Sequence, residues 1–249
     1  MHYKALMLDL DGTTVLNYPD ALPSPAVVKA IKKAQKKLFV CIATGRPLGK
    51  AQTILDVLHI TNPVILLGGS QIIDGASRKL IYEKSLENKD LTPILSILTA
   101  YDIPIVIDYK QGHSRYSPLQ KFTEKVFNIL AINLSEEVAD EIINKLTHIS
   151  TATAHKILSW DQGYIVLNIS HVLATKQHAI FEVAKRLRIE PNEIIGVGDG
   201  YNDFPLLMAC GLKVAMGNAV ADLKAIADYI APPVEQDGVV AVIEKFVLQ

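Results

Sequence analysis

The chain has 249 residues, 49% of them apolar, with a formal net charge of -1 and two cysteines. That length gives ample core for one large domain or two modest ones. The near-neutral, apolar-rich composition excludes a disordered chain and a nucleic-acid binder held by bulk electrostatics.

Cys41 and Cys210 lie far apart in apolar surroundings, without the spacing of a disulfide framework or a zinc knuckle, and read as buried thiols. The first residues show no basic stretch leading into an apolar run and a cleavage site. No apolar run is long enough to cross a bilayer. The expectation is a cytoplasmic protein with neither a membrane nor a nucleic acid as partner.

In chain order, short apolar runs alternate with amphipathic stretches, the pattern of strands joined by crossover helices. Core strands are predicted at residues 5–8, 38–43, 64–67, 194–197 and 213–215, each nearly all apolar, as strands covered on both faces are. A helix is predicted over 25–37, with Ser24 as its cap, Pro25 in its first turn and Lys36 and Lys37 complementing the dipole at its end. Others are expected at 47–58 and at 176–187, the latter closing before Pro191.

The middle differs in texture. From about Glu83 to Ser170 polar and apolar residues alternate, with helical stretches at 90–100, 119–129 and 136–146 between them. Half-buried antiparallel strands with helices on one face fit this pattern. Trp160-Asp161-Gln162-Gly163 reads as a hairpin turn. The fold class is therefore α/β: a Rossmann-like, doubly wound parallel sheet formed by residues 1–82 and 172–249, with an α+β domain inserted at 83–171.

Four signals stand at or just after the carboxyl ends of predicted core strands, the edge where open α/β sheets bind ligands. In Asp9-Leu10-Asp11-Gly12 two acids follow a buried strand; Asp-Gly alone marks no more than a turn. Thr44-Gly45-Arg46 either caps the next helix or offers a hydroxyl and backbone N–H groups to a phosphate oxygen. Gly198-Asp199-Gly200-Tyr201-Asn202-Asp203 carries two more acids, and a structural turn needs neither Asn202 nor Asp203. Lys176 by itself carries almost no information, since most lysines are solvated surface groups. Charge bookkeeping changes its weight, because Asp9, Asp11, Asp199 and Asp203 in one crevice require compensation. A hard divalent cation such as magnesium, with oxygen ligands, plus one ammonium supplies it.

In this order the four segments, Asp9-Leu10-Asp11-Gly12-Thr13, Thr44-Gly45-Arg46, Lys176 and Gly198-Asp199-Gly200-Tyr201-Asn202-Asp203, resemble the motifs of the haloacid dehalogenase-like superfamily of phosphohydrolases. The resemblance is closest to its Cof-type branch, whose cap is a mixed α/β insertion between the second and third motifs. Val214-Ala215-Met216-Gly217-Asn218-Ala219 and Gln236-Asp237-Gly238-Val239 resemble two further stretches of that branch. Two positions depart from the pattern. Gly68-Gly69 stands where Asn-Gly is usual, and Gln177 where a glycine commonly follows the lysine. Both bear on substrate recognition and neither on the reaction type.

The resemblance implies a magnesium-dependent phosphatase acting on a small phosphorylated metabolite, with sugar phosphates the leading class. Asp9 would be the nucleophile, forming an aspartyl-phosphate that water cleaves. Asp9, the backbone carbonyl of Asp11 and Asp199 would hold the metal, supported by Asn202 and Asp203. Asp11 would protonate the leaving alcohol and later take a proton from water. Thr44 and Lys176 would bind phosphoryl oxygens, with Lys176 also pinning Asp9, while Gly12, Gly45, Arg46 and Arg115 complete the phosphate and substrate contacts. The inserted domain would act as a lid that reads the leaving group. Its candidates are His113, Arg115, Tyr116, His155, Lys156 and Asn168, with His171 near the hinge. A phosphosugar mutase would use the same intermediate but return the phosphoryl group to substrate. A phosphoacceptor switch would keep it, and the large insertion argues against that reading.

Overall fold

Runs of buried apolar residues decide the larger sheet. The computed structural model describes residues 3–109, 112–158 and 163–249, and the chain divides into two compact units, Met1–Tyr82 with Lys176–Gln249, and Glu83–Thr175. The first unit begins with β1 (Ala5–Leu8), α1 (Pro25–Ala34), β2 (Phe39–Ala43), α2 (Leu48–Val57), β3 (Val64–Leu66), β4 (Gln71–Ile73) and β5 (Leu80–Glu83). The second contains α3 (Asn88–Leu98), β6 (Ile105–Tyr109), β7 (Gly112–Arg115), β8 (Asn128–Leu134), α4 (Glu136–Leu146), β9 (Ala152–Leu158) and β10 (Ile165–His171). The chain then returns to the first unit through α5 (Lys176–Leu187), β11 (Ile194–Gly198), α6 (Phe204–Met208), β12 (Leu212–Ala215), α7 (Ala221–Ala225), β13 (Tyr229–Ile230) and α8 (Gly238–Phe246).

Strands of the first unit form one sheet in the order β13-β12-β11-β1-β2-β3-β4-β5. From β13 to β3 every neighbouring pair is parallel, and β4 turns back antiparallel to β3. The strands step outward from β1 through β2 and β3 on one side and from β11 through β12 and β13 on the other. Strand order therefore reverses between β1 and β11, and Leu8 pairs with Val197 at that seam. Such a switch point opens a crevice at the carboxyl ends of its two strands. β1 and β11 are buried along their whole length.

Ser24 caps α1 as expected, its Oγ accepting the Val27 N–H at 3.2 Å. The helix closes at Ala34, earlier than predicted, so Lys32 and Lys33 occupy its last turn, while Lys36 and Lys37 lie in the turn beyond. Cys41 and Cys210 are free and buried, and burial pushes the Cys41 thiol up to about 12 and the Cys210 thiol up as well. Among the described residues no helix is long and apolar enough to cross a membrane.

The second unit is an antiparallel sheet in the order β7-β6-β8-β10-β9. Alternation places Ile107, Ile129, Leu167 and Ile169 in a core with Ile94 and Leu98 of α3 and Ala139 and Ile142 of α4. The helix expected over 119–129 is absent: Leu119 is 92% exposed, and Asn128–Leu134 forms β8 between β6 and β10. Pairing on both edges satisfies that strand's backbone groups, and the period of two overrides an apolar spacing that also suits a helix. The hairpin turn expected at Trp160-Asp161-Gln162-Gly163 lies outside the described residues, apart from Gly163.

On the opposite face of this sheet Asp108, directly across from Asn128, is 7% exposed. Burial raises its carboxyl above the ordinary range, against a 3.3 Å hydrogen bond donated by Asn128 Nδ2. Because the unfolded chain releases this proton first, the raised group costs stability as pH climbs past the ordinary carboxylate value. Asp108→Asn is expected to raise the unfolding temperature at neutral pH by about 2–4 °C, the equivalent of roughly 1 kcal/mol in a chain of this size. The gain should shrink as pH approaches ordinary carboxylate values, where Asp108 is protonated in both states. A gain in thermal melts that does not depend on pH would contradict this account.

Candidate active site

Asp9 leaves the end of β1 with its N–H still bonded to the Val197 carbonyl of β11 at 3.0 Å, so it begins life at the seam. The chain then turns sharply. The N–H groups of Thr13, Thr14 and Val15 all reach the Leu10 carbonyl, and the Thr14 hydroxyl donates to the Asp9 carbonyl at 2.6 Å. Gly12 sits at φ 77, and a Cβ there would lie 2.2 Å from Asp199 Oδ2. This turn needs glycine twice over, for its left-handed backbone and for the close approach of Asp199.

Asp199 follows β11 directly. Its Oδ1 accepts the Thr13 hydroxyl at 2.9 Å. Asp203 folds back over Gly198, whose missing Cβ makes room for it. Its Oδ2 accepts the N–H groups of Asp199 and Gly200 at 2.9 and 3.0 Å, and its Oδ1 accepts Lys176 Nζ at 2.6 Å. Lys176, the first residue of α5, also donates to Asp9 Oδ1 at 2.6 Å. This ammonium is 2% exposed and bridges two carboxylates from opposite sides of the seam.

Asp9, Asp199 and Asp203 present carboxylate oxygens that all lie within 4.8 Å of one another. Burial, and then Asp203, raise the Asp9 carboxyl well above the ordinary range, with Lys176 the main opposing influence. Burial and Asp203 likewise push Asp199 up to about 7. Burial works against the charge on Lys176, but Asp203 and Asp9 outweigh it and hold the ammonium above its ordinary value. The cluster thus has more negative charge than its one lysine neutralises. An all-oxygen donor set with that deficit fits a hard divalent cation such as magnesium.

Asp11 points elsewhere. Arg46 grips it with a guanidinium fork, Nε to Oδ2 at 2.9 Å and Nη2 to Oδ1 at 2.5 Å, and that bond in turn raises the arginine further. Thr44 is fully buried at the end of β2, and its Oγ accepts the Arg46 N–H at 3.1 Å. Thr44 does not cap α2, whose N-cap is Pro47 with no side-chain bond. Gly45 is exposed, with open space about its α carbon. Asn202 lies half-buried in the short turn Tyr201–Asp203.

The first unit therefore gathers Asp9, Lys176, Asp199 and Asp203 into one cluster, with Asp11, Gly12, Thr44 and Arg46 on the segments that leave β1 and β2. Arg115 belongs to the second unit, exposed on β7 together with His113. Lys156 is engaged by Glu136 and Asp140 of α4. Tyr116 packs against the second unit's apolar core. Asn168 and His155 face each other across β10 and β9, and Asn168 Oδ1 and His155 Nε2 are buried without a hydrogen-bond partner among the described residues. Thr13 and Asn218, which also bond within the cluster, drew no role from the sequence although both stand inside the quoted motifs.

The profile of the haloacid dehalogenase-like hydrolases matches residues 6–118 and 107–243, and the chain belongs to that family. A 5-amino-6-(5-phospho-D-ribitylamino)uracil phosphatase of Bacillus subtilis strain 168 is 27% identical over 252 residues, spanning 98% of this chain and 96% of its own. A phosphoglycolate phosphatase of Methanopyrus kandleri is 25% identical over 244 residues, spanning 96% and 95%. Among solved structures, a haloacid dehalogenase-like hydrolase from B. subtilis matches with a TM-score of 0.83 at 23% identity, covering 97% of this chain and 99% of its own. The subclass IIB sugar phosphatase BT4131 matches at 0.81 and 24% identity over 98% of each chain. These structures bear out the fold class, an α/β core with a second, inserted unit.

Gly12→Ala is expected to destabilise the protein by more than about 1 kcal/mol, the strain of a left-handed residue with a Cβ, because Asp199 must also shift. Chemical denaturation measures this, and a variant within about 0.5 kcal/mol of wild type, the ordinary spread of surface changes, would contradict the close packing of Asp199 on this turn.

Proposed function

We propose that the chain is a magnesium-dependent phosphatase that hydrolyses a small phosphorylated metabolite, with sugar and polyol phosphates the leading class, through an aspartyl-phosphate on Asp9. The observation that carries this reading is Asp9 at the end of β1, held by Lys176 beside Asp199 and Asp203. A carboxylate in that position is a nucleophile that needs no base to activate it.

Asp9, the Asp11 backbone carbonyl and Asp199 are the groups suited to hold the magnesium ion. Asp203 orients its neighbours, since both its oxygens already accept hydrogen bonds from Lys176 and from two backbone N–H groups. When bound, the ion neutralises charge on the phosphate and on the carboxylates that face it. Lys176 opposes the protonation that burial favours on Asp9 and, with the Thr44 hydroxyl, receives the phosphoryl oxygens. An Asp9 oxygen attacks phosphorus as the bond to the leaving oxygen breaks, and Asp11 gives that oxygen a proton. Water then attacks the aspartyl-phosphate, Asp11 takes its proton, and inorganic phosphate leaves with Asp9 restored. The Arg46 fork must open for either proton transfer, because it occupies both Asp11 oxygens in this structure.

The relatives' names support a small phosphorylated metabolite as substrate: one acts on a phosphorylated ribityl group, a polyol chain, and the other on phosphoglycolate, a small hydroxy acid. We assign leaving-group selection to the second unit, whose Asn168 and His155 carry unmet hydrogen-bonding capacity.

Asp9→Asn should lower phosphate release from sugar phosphates by at least about a thousandfold, as loss of a nucleophile does, while circular dichroism stays that of wild type. Turnover by Asp9→Asn close to wild type would remove Asp9 from the reaction. Excess chelator should stop the wild-type enzyme, and added magnesium should restore it. Rates unchanged by chelator would exclude the metal.

A further inference from the structure

The stretches at residues 214–219 and 236–239 take no part in the chemistry above, yet the first reaches into the site. Asn218 follows β12, and its Nδ2 donates to the Gly12 carbonyl at 2.8 Å, 206 positions away in the chain. The same nitrogen lies 3.5 Å from Asp199 Oδ2, and Asn218 Oδ1 accepts the Val234 N–H at 2.9 Å. One amide thus spends both its donors on the two segments proposed to hold magnesium and its acceptor on a third. The Gly12 carbonyl belongs to the peptide after that of Asp11, so the bond restrains the end of the turn that carries the Asp11 carbonyl. Two further bonds brace the arrangement: the Val220 N–H donates to the Asp199 carbonyl at 3.0 Å, and the Ser24 hydroxyl donates to Asp237 Oδ1 at 2.7 Å.

Resting on the reading that magnesium lies among Asp9, the Asp11 carbonyl and Asp199, we infer that Asn218 is a positioning residue that sets magnesium affinity by locking the Asp9–Gly12 turn against Asp199. Groups that orient metal ligands contribute to affinity without touching the metal. Alanine cannot replace either donor. An aspartate keeps the acceptor for Val234 but loses both donors and sets a like charge beside Asp199. Asn218 is exposed, so shortening it removes no core packing.

The test is calorimetric titration of the whole protein with magnesium chloride alone, alongside phosphate release measured against magnesium concentration. Asn218→Ala should weaken magnesium binding about tenfold, at the lower end of the effect of such partners. It should shift half-saturating magnesium far more than kcat at saturating magnesium. Asp199→Asn should abolish binding. If Asp199→Asn loses magnesium while Asn218→Ala binds it like wild type, the inference fails and the metal reading stands. If Asp199→Asn binds magnesium normally, the metal reading fails and takes the inference with it. A lower kcat at every magnesium concentration with unchanged affinity would mark Asn218 as merely structural and also overturn the inference. Should Asn218→Ala not fold, Asn218→Asp decides by the same titration, with weakened binding expected and wild-type binding overturning the inference.

Discussion

Lys176 sets one ammonium between Asp9 and Asp203 where all three side chains are nearly closed to water. Removing ions from water costs several kcal/mol each, so the trio persists only because every charge finds a partner. Asp203 is met by two backbone N–H groups as well as by the lysine. Asp9 accepts the lysine on its side chain, and its burial among acids leaves an electrostatic deficit. Under the proposed function the deficit is useful. A carboxylate fully satisfied by protein would have no reason to accept a cation or to attack phosphorus, and one left with no partner would protonate and lose its nucleophilicity.

Topology brings these groups together more than any local preference does. Asp9 and Asp199 are far apart in the chain, but they follow paired residues, Leu8 and Val197, on adjacent parallel strands. Each strand ends in a turn that admits a carboxylate of the β11 segment only because a glycine stands there. Gly12 accepts Asp199, and Gly198 accepts Asp203. Family membership and the matching folds agree with this construction.

Much of it was readable in the residues. The wholly apolar runs at β1 and β11, and the acids that follow them, gave both the parallel sheet and its ligand edge. Ser24 and Pro25 announced the start of α1, and Lys176 gained meaning only when four acids had to be compensated. Other features left no local trace. A helix over 119–129 and a strand over 128–134 both suit the apolar residues there, and the choice belongs to β6 and β10, which lie elsewhere in the chain. The short β4 and β5 extend the sheet only because β3 offers an edge. The Arg46 fork on Asp11 and the Asn218 amide on Gly12 are contacts between segments, and a string of residues carries no distances.

The two sulfurs add a property unrelated to phosphate chemistry. Cys41 lies inside β2, and Cys210, just after α6, packs its sulfur against Gly196 of β11, 2.8 Å from where a Cβ there would stand. Burial pushes both thiols up, away from the thiolate on which alkylation depends. The native molecule is therefore expected to react slowly with maleimides and disulfide reagents, so its labelling rate would serve as a clock for the opening of the sheet's interior, one that runs without a fluorophore or an engineered tag.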